Sequence, residues 1–119
     1  MKKDNVLSEK SFAFAIRTVK LYKLLTESRK EFVLSKQFLR SGTAIGAMYR
    51  EAEQAESRAD FIHKLSIALK EVNESEYWLL LLKETGYLTQ TEFDSIHNDC
   101  HELLKLITSI IKTTKKNLP

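Results

Sequence analysis

The sequence predicts an all-α protein, an antiparallel up-down-up-down bundle of four helices. Apolar residues recur at spacings of three and four along most of the 119 residues, and no segment alternates with the period of two expected of a half-buried strand. The only proline is Pro119, the last residue, so proline interrupts no helical segment. Only a few residues separate the periodic segments, which favours antiparallel neighbours. One domain over residues 1–119 is expected.

The first helix is predicted over residues 8–27 and the second over residues 30–55. Ser28 and Glu31 have the spacing of a capping box, in which a hydroxyl accepts from the amide three residues on and the acid accepts from the first amide. Within the second helix, Gly42 and Gly46 lie four residues apart on one face. Glycine costs roughly 1 kcal/mol relative to alanine inside a helix. We therefore expect both glycines at a close helix contact, within the bundle or between subunits.

The third helix is predicted over residues 58–85. Ser57 and Asp60 form a second capping-box pattern before it, and Gly86 suits the left-handed residue that ends a helix. The fourth helix is predicted over residues 90–115, after the capping-box pattern of Thr89 and Glu92. Its apolar seam is the cleanest in the chain and comprises Phe93, Ile96, Cys100, Leu103, Ile107 and Ile110.

The end of the third helix carries more apolar surface than one bundle can bury. Its segment from Tyr77 to Leu82 is apolar around nearly the whole circumference. Phe12 and other aromatic side chains are spread in the same way around the first helix. We therefore expect self-association, with Tyr77 and Trp78 at a packing or assembly contact and Trp78 largely buried.

Composition indicates a soluble protein, because 43% of the residues are hydrophobic, 29% are charged, and no apolar run approaches the ~20 residues of a membrane-spanning helix. The chain begins without the apolar segment of a signal peptide, and Cys100 is its single cysteine. We therefore expect a cytoplasmic protein with no internal disulfide. The net charge of +3 permits nucleic-acid binding without requiring it.

The sequence offers two weak metal-site patterns. Asp94, His97, Cys100 and His101 share one region of the fourth helix and could converge on zinc, although Cys100 lies on the apolar seam. A di-iron site would use Asp60 with His63 and Asp94 with His97, but aspartate is one methylene shorter than the glutamate of such sites. Neither a nucleophile elbow nor a glycine-rich phosphate loop is present in the sequence. The prediction is a protein that is not an enzyme, without catalytic residues, metal ligands or cofactor.

Small basic clusters provide the candidate nucleic-acid contacts, which are Arg17, Lys20, Lys36, Arg40, Arg50 and Arg58. The alternative is that these residues lie on solvated faces or form ion pairs with the interspersed acids.

Several segments resemble a known family: LRSGTAIGA (residues 39–47) followed by Glu51-Ala52, then Ser57, DFIHKLSIALKE (residues 60–71) and Glu76-Tyr77-Trp78-Leu79. They resemble the bacterial four-helix-bundle family encoded in intervening sequences of large-subunit ribosomal RNA genes, sometimes labelled S23 ribosomal proteins. That family is similar to the accessory protein of diversity-generating retroelements, a basic pentameric barrel that binds a reverse transcriptase and nucleic acid. The resemblance implies a homopentamer of antiparallel bundles. This chain differs from the family at Ala44, often serine, and Met48, often asparagine.

The leading functional hypothesis is a non-enzymatic oligomeric binding or scaffold protein that contacts structured RNA or an RNA-handling protein. Five copies of a chain of charge +3 would carry roughly +15, so weak basic patches on a ring could act together. The second hypothesis is a structural oligomer that binds only protein. The third is a metal-binding bundle.

Overall fold

The computed structural model describes residues 2–117, and the side chains of residues 6–117. The four helices are α1 (Lys2–Glu27), α2 (Leu34–Glu53), α3 (Arg58–Glu84) and α4 (Gln90–Lys116). No strand occurs among the described residues. The predicted all-α class and the predicted number of helices are therefore confirmed.

Each helix packs against two others. Helices that follow one another in the chain are neighbours, and α1 also packs against α4, whereas α1 and α3, and likewise α2 and α4, make no close approach within residues 2–117. Contacting positions run in opposite order along each neighbouring pair. Four sets of contacts mark this order: Ser11 with Gly46 and Thr18 with Gly42; Arg40 with Glu71 and Glu51 with Lys64; Val72 with Cys100 and Glu76 with His97; and Lys10 with Glu102 and Arg17 with Asp99.

One hydrophobic core runs along the middle of the four helices. Its largest fully buried side chains include Phe14, Phe38, Leu7, Leu25, Ile45, Leu65, Leu79, Leu82, Leu103 and Ile107. Phe14 and Phe38 meet edge to face with ring centroids 6.2 Å apart, joining α1 to α2. All six residues predicted for the α4 seam are buried. The spacing of three and four that predicted the helices therefore also identifies the buried face of α4.

Helix α1 begins at Lys2 instead of near Ser8. The predicted start is wrong because Leu7, seven residues before Phe14, already belongs to the buried stripe. At the other end of the chain α4 ends at Lys116, one residue beyond the prediction.

The predicted capping box at Ser28 and Glu31 is wrong. Lys30 has a φ of 58°, so the chain is not helical there, and α2 begins only at Leu34. The buried Glu31 carboxylate accepts hydrogen bonds from the amides of Val33, Leu34 and Ser35 at 3.1, 2.9 and 2.6 Å. Glu31 therefore caps the N-terminus of α2 from a position before the first helical residue. None of the hydrogen bonds that form this cap involves the Ser28 side chain.

The other helix starts follow the predicted positions more closely. The reciprocal bonds between Thr89 and Glu92 form a complete capping box. Ser57 accepts from the amide of Asp60, but the Asp60 carboxylate accepts from the Glu56 amide at 3.3 Å instead of completing the box. Gly86 has a φ of 86°, the left-handed conformation expected just beyond a helix end.

Candidate functional site

An exposed apolar stripe runs along the outer side of α1. Phe12 and Ile16 are 57% and 42% exposed, and Val19 continues the stripe one turn further along. Beside Phe12 lies a shallow cavity of about 270 Å³ between α1 and α2. The cavity is lined by Ser8, Ser11, Phe12, Ala15, Thr43, Gly46, Ala47, Tyr49 and Arg50. We call the exposed stripe and this cavity the α1–α2 face.

The two glycines predicted at a close helix contact lie between α1 and α2. Gly42 is buried, and a Cβ atom built on it would lie 2.5 Å from Thr18 Oγ1 and 2.6 Å from Thr18 Cγ2. Gly46 lies in the cavity wall of the α1–α2 face, and a Cβ there would meet Ser11 Oγ at 3.4 Å. The approach of the two helices is therefore tighter at Gly42 than at Gly46.

A second apolar surface lies near the end of α3. Tyr77 is 55% exposed, and Leu80 is also exposed. The Tyr77 ring meets the Trp78 ring edge to face with centroids 5.1 Å apart. Trp78 is half-buried against the core, and its indole N–H is enclosed with no hydrogen-bond partner in the described part of the chain. We call Tyr77, Trp78 and Leu80 the α3 face.

Four of the six basic candidates already have partners. Arg17 contacts Asp99 at 2.6 Å and donates to the Ser95 hydroxyl at 2.9 Å. Arg40 pairs with Glu71 at 3.3 Å and also with Glu74.

The other two partnered candidates are arginines near the α2–α3 connection. Arg58 donates to the carbonyl oxygen of Asn117, and the Arg50 guanidinium lies 5.8 Å from the centre of the Phe12 ring. Arg50 thus belongs to the α1–α2 face.

Lys20 and Lys36 are exposed and make no ion pair within the described residues. The structure does not bring the six candidates onto one surface. Arg17 faces α4 whereas Arg40 faces α3, so these two lie on opposite sides of the bundle. A nucleic acid would have to bridge separate patches or contact several copies of the chain.

The candidate zinc ligands on α4 do not converge. Cys100 is buried and donates to the Val72 carbonyl oxygen at 3.6 Å, and burial raises the pKa of its thiol to about 12. Asp94 accepts from Gln90, and His101 is exposed.

His97, the remaining candidate zinc ligand, contacts residues outside the candidate set. Its Nε2 lies 2.8 Å from the Glu76 carboxylate, and its ring stacks on Phe93. In the di-iron pattern, Asp60 takes part in the α3 cap and His63 is exposed. Within the described residues, no three His, Cys, Asp or Glu side chains are close enough to hold a metal ion.

An ion pair connects the segment just after α1 to α4, and sequence reasoning missed it. Arg29 makes two parallel bonds to the Glu92 carboxylate at 2.8 and 2.6 Å and also donates to the Tyr87 carbonyl oxygen. The guanidinium of Arg29, followed by the Thr89 amide, lowers the pKa of Glu92 to about 2. The capping pattern identified Glu92, but no local signal connects it to Arg29, which lies 63 residues earlier in the chain.

A groove between α1 and α4 is the second feature that sequence reasoning missed. It has a volume of about 410 Å³ and is lined by Arg17, Lys20, Leu21, Leu24, Thr91, Glu92, Ser95 and Ile96. Leu24 was the available signal, because it lies off the buried stripe of α1 and is still partly exposed in the folded chain. We call this feature the α1–α4 groove.

The fold and these surfaces define an all-helical protein with apolar faces and an open groove between helices. Within the described residues, no helix has the length and apolar character that crossing a membrane requires. Residues 3–109 match the family described as 23S rRNA-intervening sequence protein, and the chain belongs to that family. The resemblance drawn from the sequence is therefore confirmed.

A crystal structure from Bacteroides thetaiotaomicron VPI-5482, described as that of a protein with unknown function from the S23 ribosomal protein family, is similar throughout. It shares 64% sequence identity with this chain and superposes with a TM-score of 0.92. The match covers 92% of this chain and 98% of that one. No curated protein matches the chain significantly.

Proposed function

We propose that this protein is a non-enzymatic binding module that assembles with copies of itself through the α1–α2 face. The observation that carries the proposal is the exposed stripe of Phe12, Ile16 and Val19. These three side chains belong neither to the hydrophobic core nor to the apolar residues packed against it, so burial within the bundle does not account for them. Contiguous exposed apolar surface is typical of interaction sites in soluble proteins.

The proposed assembly is a homopentameric ring of antiparallel up-down-up-down bundles. The opposite order of contacts along neighbouring helices supports the topology, and the family resemblance supports the ring. A ring of more than two subunits needs an interface in which two different surfaces meet. The α1–α2 face and the α3 face meet this requirement, because α1 and α3 lie across the bundle from each other. In this proposal, the α1–α2 face of one subunit packs on the α3 face of the next.

Two charged substitutions test the assembly. Ile16→Lys places a charge on the α1–α2 face and Tyr77→Lys places one on the α3 face, and both positions are exposed. Measured by sedimentation velocity, each variant alone should shift towards monomer. An equimolar mixture should form a heterodimer, because each variant keeps the face that the other has lost.

Asn98→Lys is the matched control, since Asn98 is an exposed residue of α4 outside both faces. It should keep the mass of the parent protein. If Ile16→Lys also keeps the parent mass, the α1–α2 face is not the interface. If both variants are monomeric but the mixture does not pair, the two faces do not meet each other.

Contact with structured RNA is a second candidate function, and it is favoured by Lys20 and Lys36, which are exposed and form no ion pair with the described side chains. The test is fluorescence anisotropy with a labelled RNA hairpin at several salt concentrations. Phosphate binding should weaken steeply between about 50 and 200 mM salt, whereas docking to an RNA-handling protein through an apolar surface should not. A Lys20→Gln, Lys36→Gln double variant should lower the salt slope by about two, with Lys105→Gln as the exposed-lysine control.

A further inference from the structure

The seam between α1 and α4 is bridged by ion pairs. Lys10 contacts Glu102 at 2.7 Å, and Arg17 contacts Asp99 at 2.6 Å. Arg29 closes the far end against Glu92 at 2.6 Å. Arg17 lies within α1, and Arg29 follows twelve residues later, just beyond the end of that helix. The α1–α4 groove opens in the interval between these last two ion pairs.

The floor of the α1–α4 groove is apolar and its edges are polar. Ile96 is a core residue that the groove reaches, and Leu21 is packed against the core beside it. Leu24 forms a wall and is 37% exposed. The hydroxyls of Thr91 and Ser95 lie on the α4 side. Pockets that bind small molecules have this composition and commonly a volume of roughly 300–1,000 Å³.

Two of the three charged side chains that line the α1–α4 groove, Arg17 and Glu92, form ion pairs. Arg17 is paired with Asp99, and Glu92 is held as a carboxylate by both nitrogens of the Arg29 fork. Lys20 lines the groove and makes no ion pair with any described residue. Among the described residues, the groove therefore combines apolar surface with the positive charge of Lys20, which no carboxylate of that part of the chain balances.

We infer that the α1–α4 groove binds a small amphipathic carboxylate, with its apolar body against Leu21, Leu24 and Ile96 and its carboxylate at Lys20. The carboxylate of the ligand would supply the negative charge that is missing beside Lys20. Its apolar body would remove the Leu24 side chain from water. This site is separate from the α1–α2 face and does not depend on the proposed assembly.

Methyl-resolved NMR of the full chain, labelled at leucine and isoleucine, tests the inference with decanoate as the probe. We expect saturable shifts of the Leu21, Leu24 and Ile96 methyl signals at millimolar decanoate. Lys20→Met should weaken binding about threefold, the size expected for loss of one exposed ion pair. Lys23→Met is the control, because Lys23 is exposed on the same helix but does not line the groove.

Decanol, which has the same chain without the charge, should bind the parent and Lys20→Met with equal affinity. Three outcomes would overturn the inference: absence of saturable shifts, shifts confined to Ile16 of the α1–α2 face, or equal decanoate affinity of the parent and Lys20→Met. Because the sedimentation experiment measures assembly without decanoate, failure of the groove and failure of the proposed assembly are distinguishable.

Discussion

Of the two glycines between α1 and α2, Gly42 has the less room for a side chain. The neighbouring Thr18 is fully buried, and its hydroxyl is fixed by a 2.8 Å hydrogen bond to the Phe14 carbonyl oxygen. Its branched side chain therefore cannot swing away from a new methyl group. A substitution at Gly42 must displace either Thr18 or the helix itself.

We predict that Gly42→Ala lowers the free energy of unfolding by about 1–3 kcal/mol through overpacking, despite the better helix propensity of alanine. Urea denaturation provides the measurement. Gly46→Ala is the matched control, because its added methyl group meets only ordinary contacts, and it should leave stability unchanged or raise it by up to about 1 kcal/mol. Equal stability of the two variants would show that the Thr18 side chain can move aside at little cost in free energy.

At the scale of helices, the start of α2 depends on one buried carboxylate. Burial disfavours the charged form of Glu31, but the hydrogen bonds from the Leu34, Ser35 and Val33 amides outweigh it and lower the pKa below its ordinary value. These amides are donors that α2 itself cannot satisfy, because they lie at its first turn. The carboxylate thus takes the place of the hydroxyl cap expected at Ser28.

We predict that Glu31→Ala destabilises the protein by about 1–2 kcal/mol, the range of a lost helix cap. Ser28→Ala should change stability by less than about 0.5 kcal/mol, because Ser28 is exposed. Thermal unfolding followed by circular dichroism compares the two variants. A larger loss in Ser28→Ala than in Glu31→Ala would restore the capping box inferred from the sequence.

Local patterns explain which parts of the fold could be predicted. The α4 seam and the Thr89 cap depend on residues a few positions apart, and both were predicted correctly. The Arg17 and Arg40 ion pairs depend on carboxylates of another helix, so the sequence alone could not show that these side chains are occupied. The α1–α4 groove arises from the spacing of two helices, and the position of Leu24 off the buried stripe of α1 does not by itself reveal that spacing.

At the scale of the whole molecule, two carboxylates make stability depend on acid pH. The pKa of Glu92 is lowered to about 2 and that of Glu31 is also lowered. Both groups bind protons more readily in the unfolded chain, so their contribution is complete above the ordinary value near 4.5 and is lost as pH falls towards 2.

We therefore predict that the urea midpoint falls between pH 5 and pH 2.5 in the parent and falls less in Glu92→Gln. The glutamine can still accept a hydrogen bond from Arg29 but has no proton to gain over this range. An unchanged pH dependence in Glu92→Gln would mean that other carboxylates control the acid sensitivity.

Because Cys100 is buried, the reaction rate of its thiol can measure how often the bundle opens. Only the ionised thiol alkylates rapidly, and this thiol is enclosed, with a pKa raised to about 12. Because it is the only sulfhydryl in the sequence, its reaction with iodoacetamide should proceed only when the bundle opens. The labelling rate relative to that in urea should then give the free energy of opening under native conditions.

Decanoate at a concentration that fills the α1–α4 groove should slow the labelling of Cys100, because a ligand that binds only the folded chain stabilises it against opening.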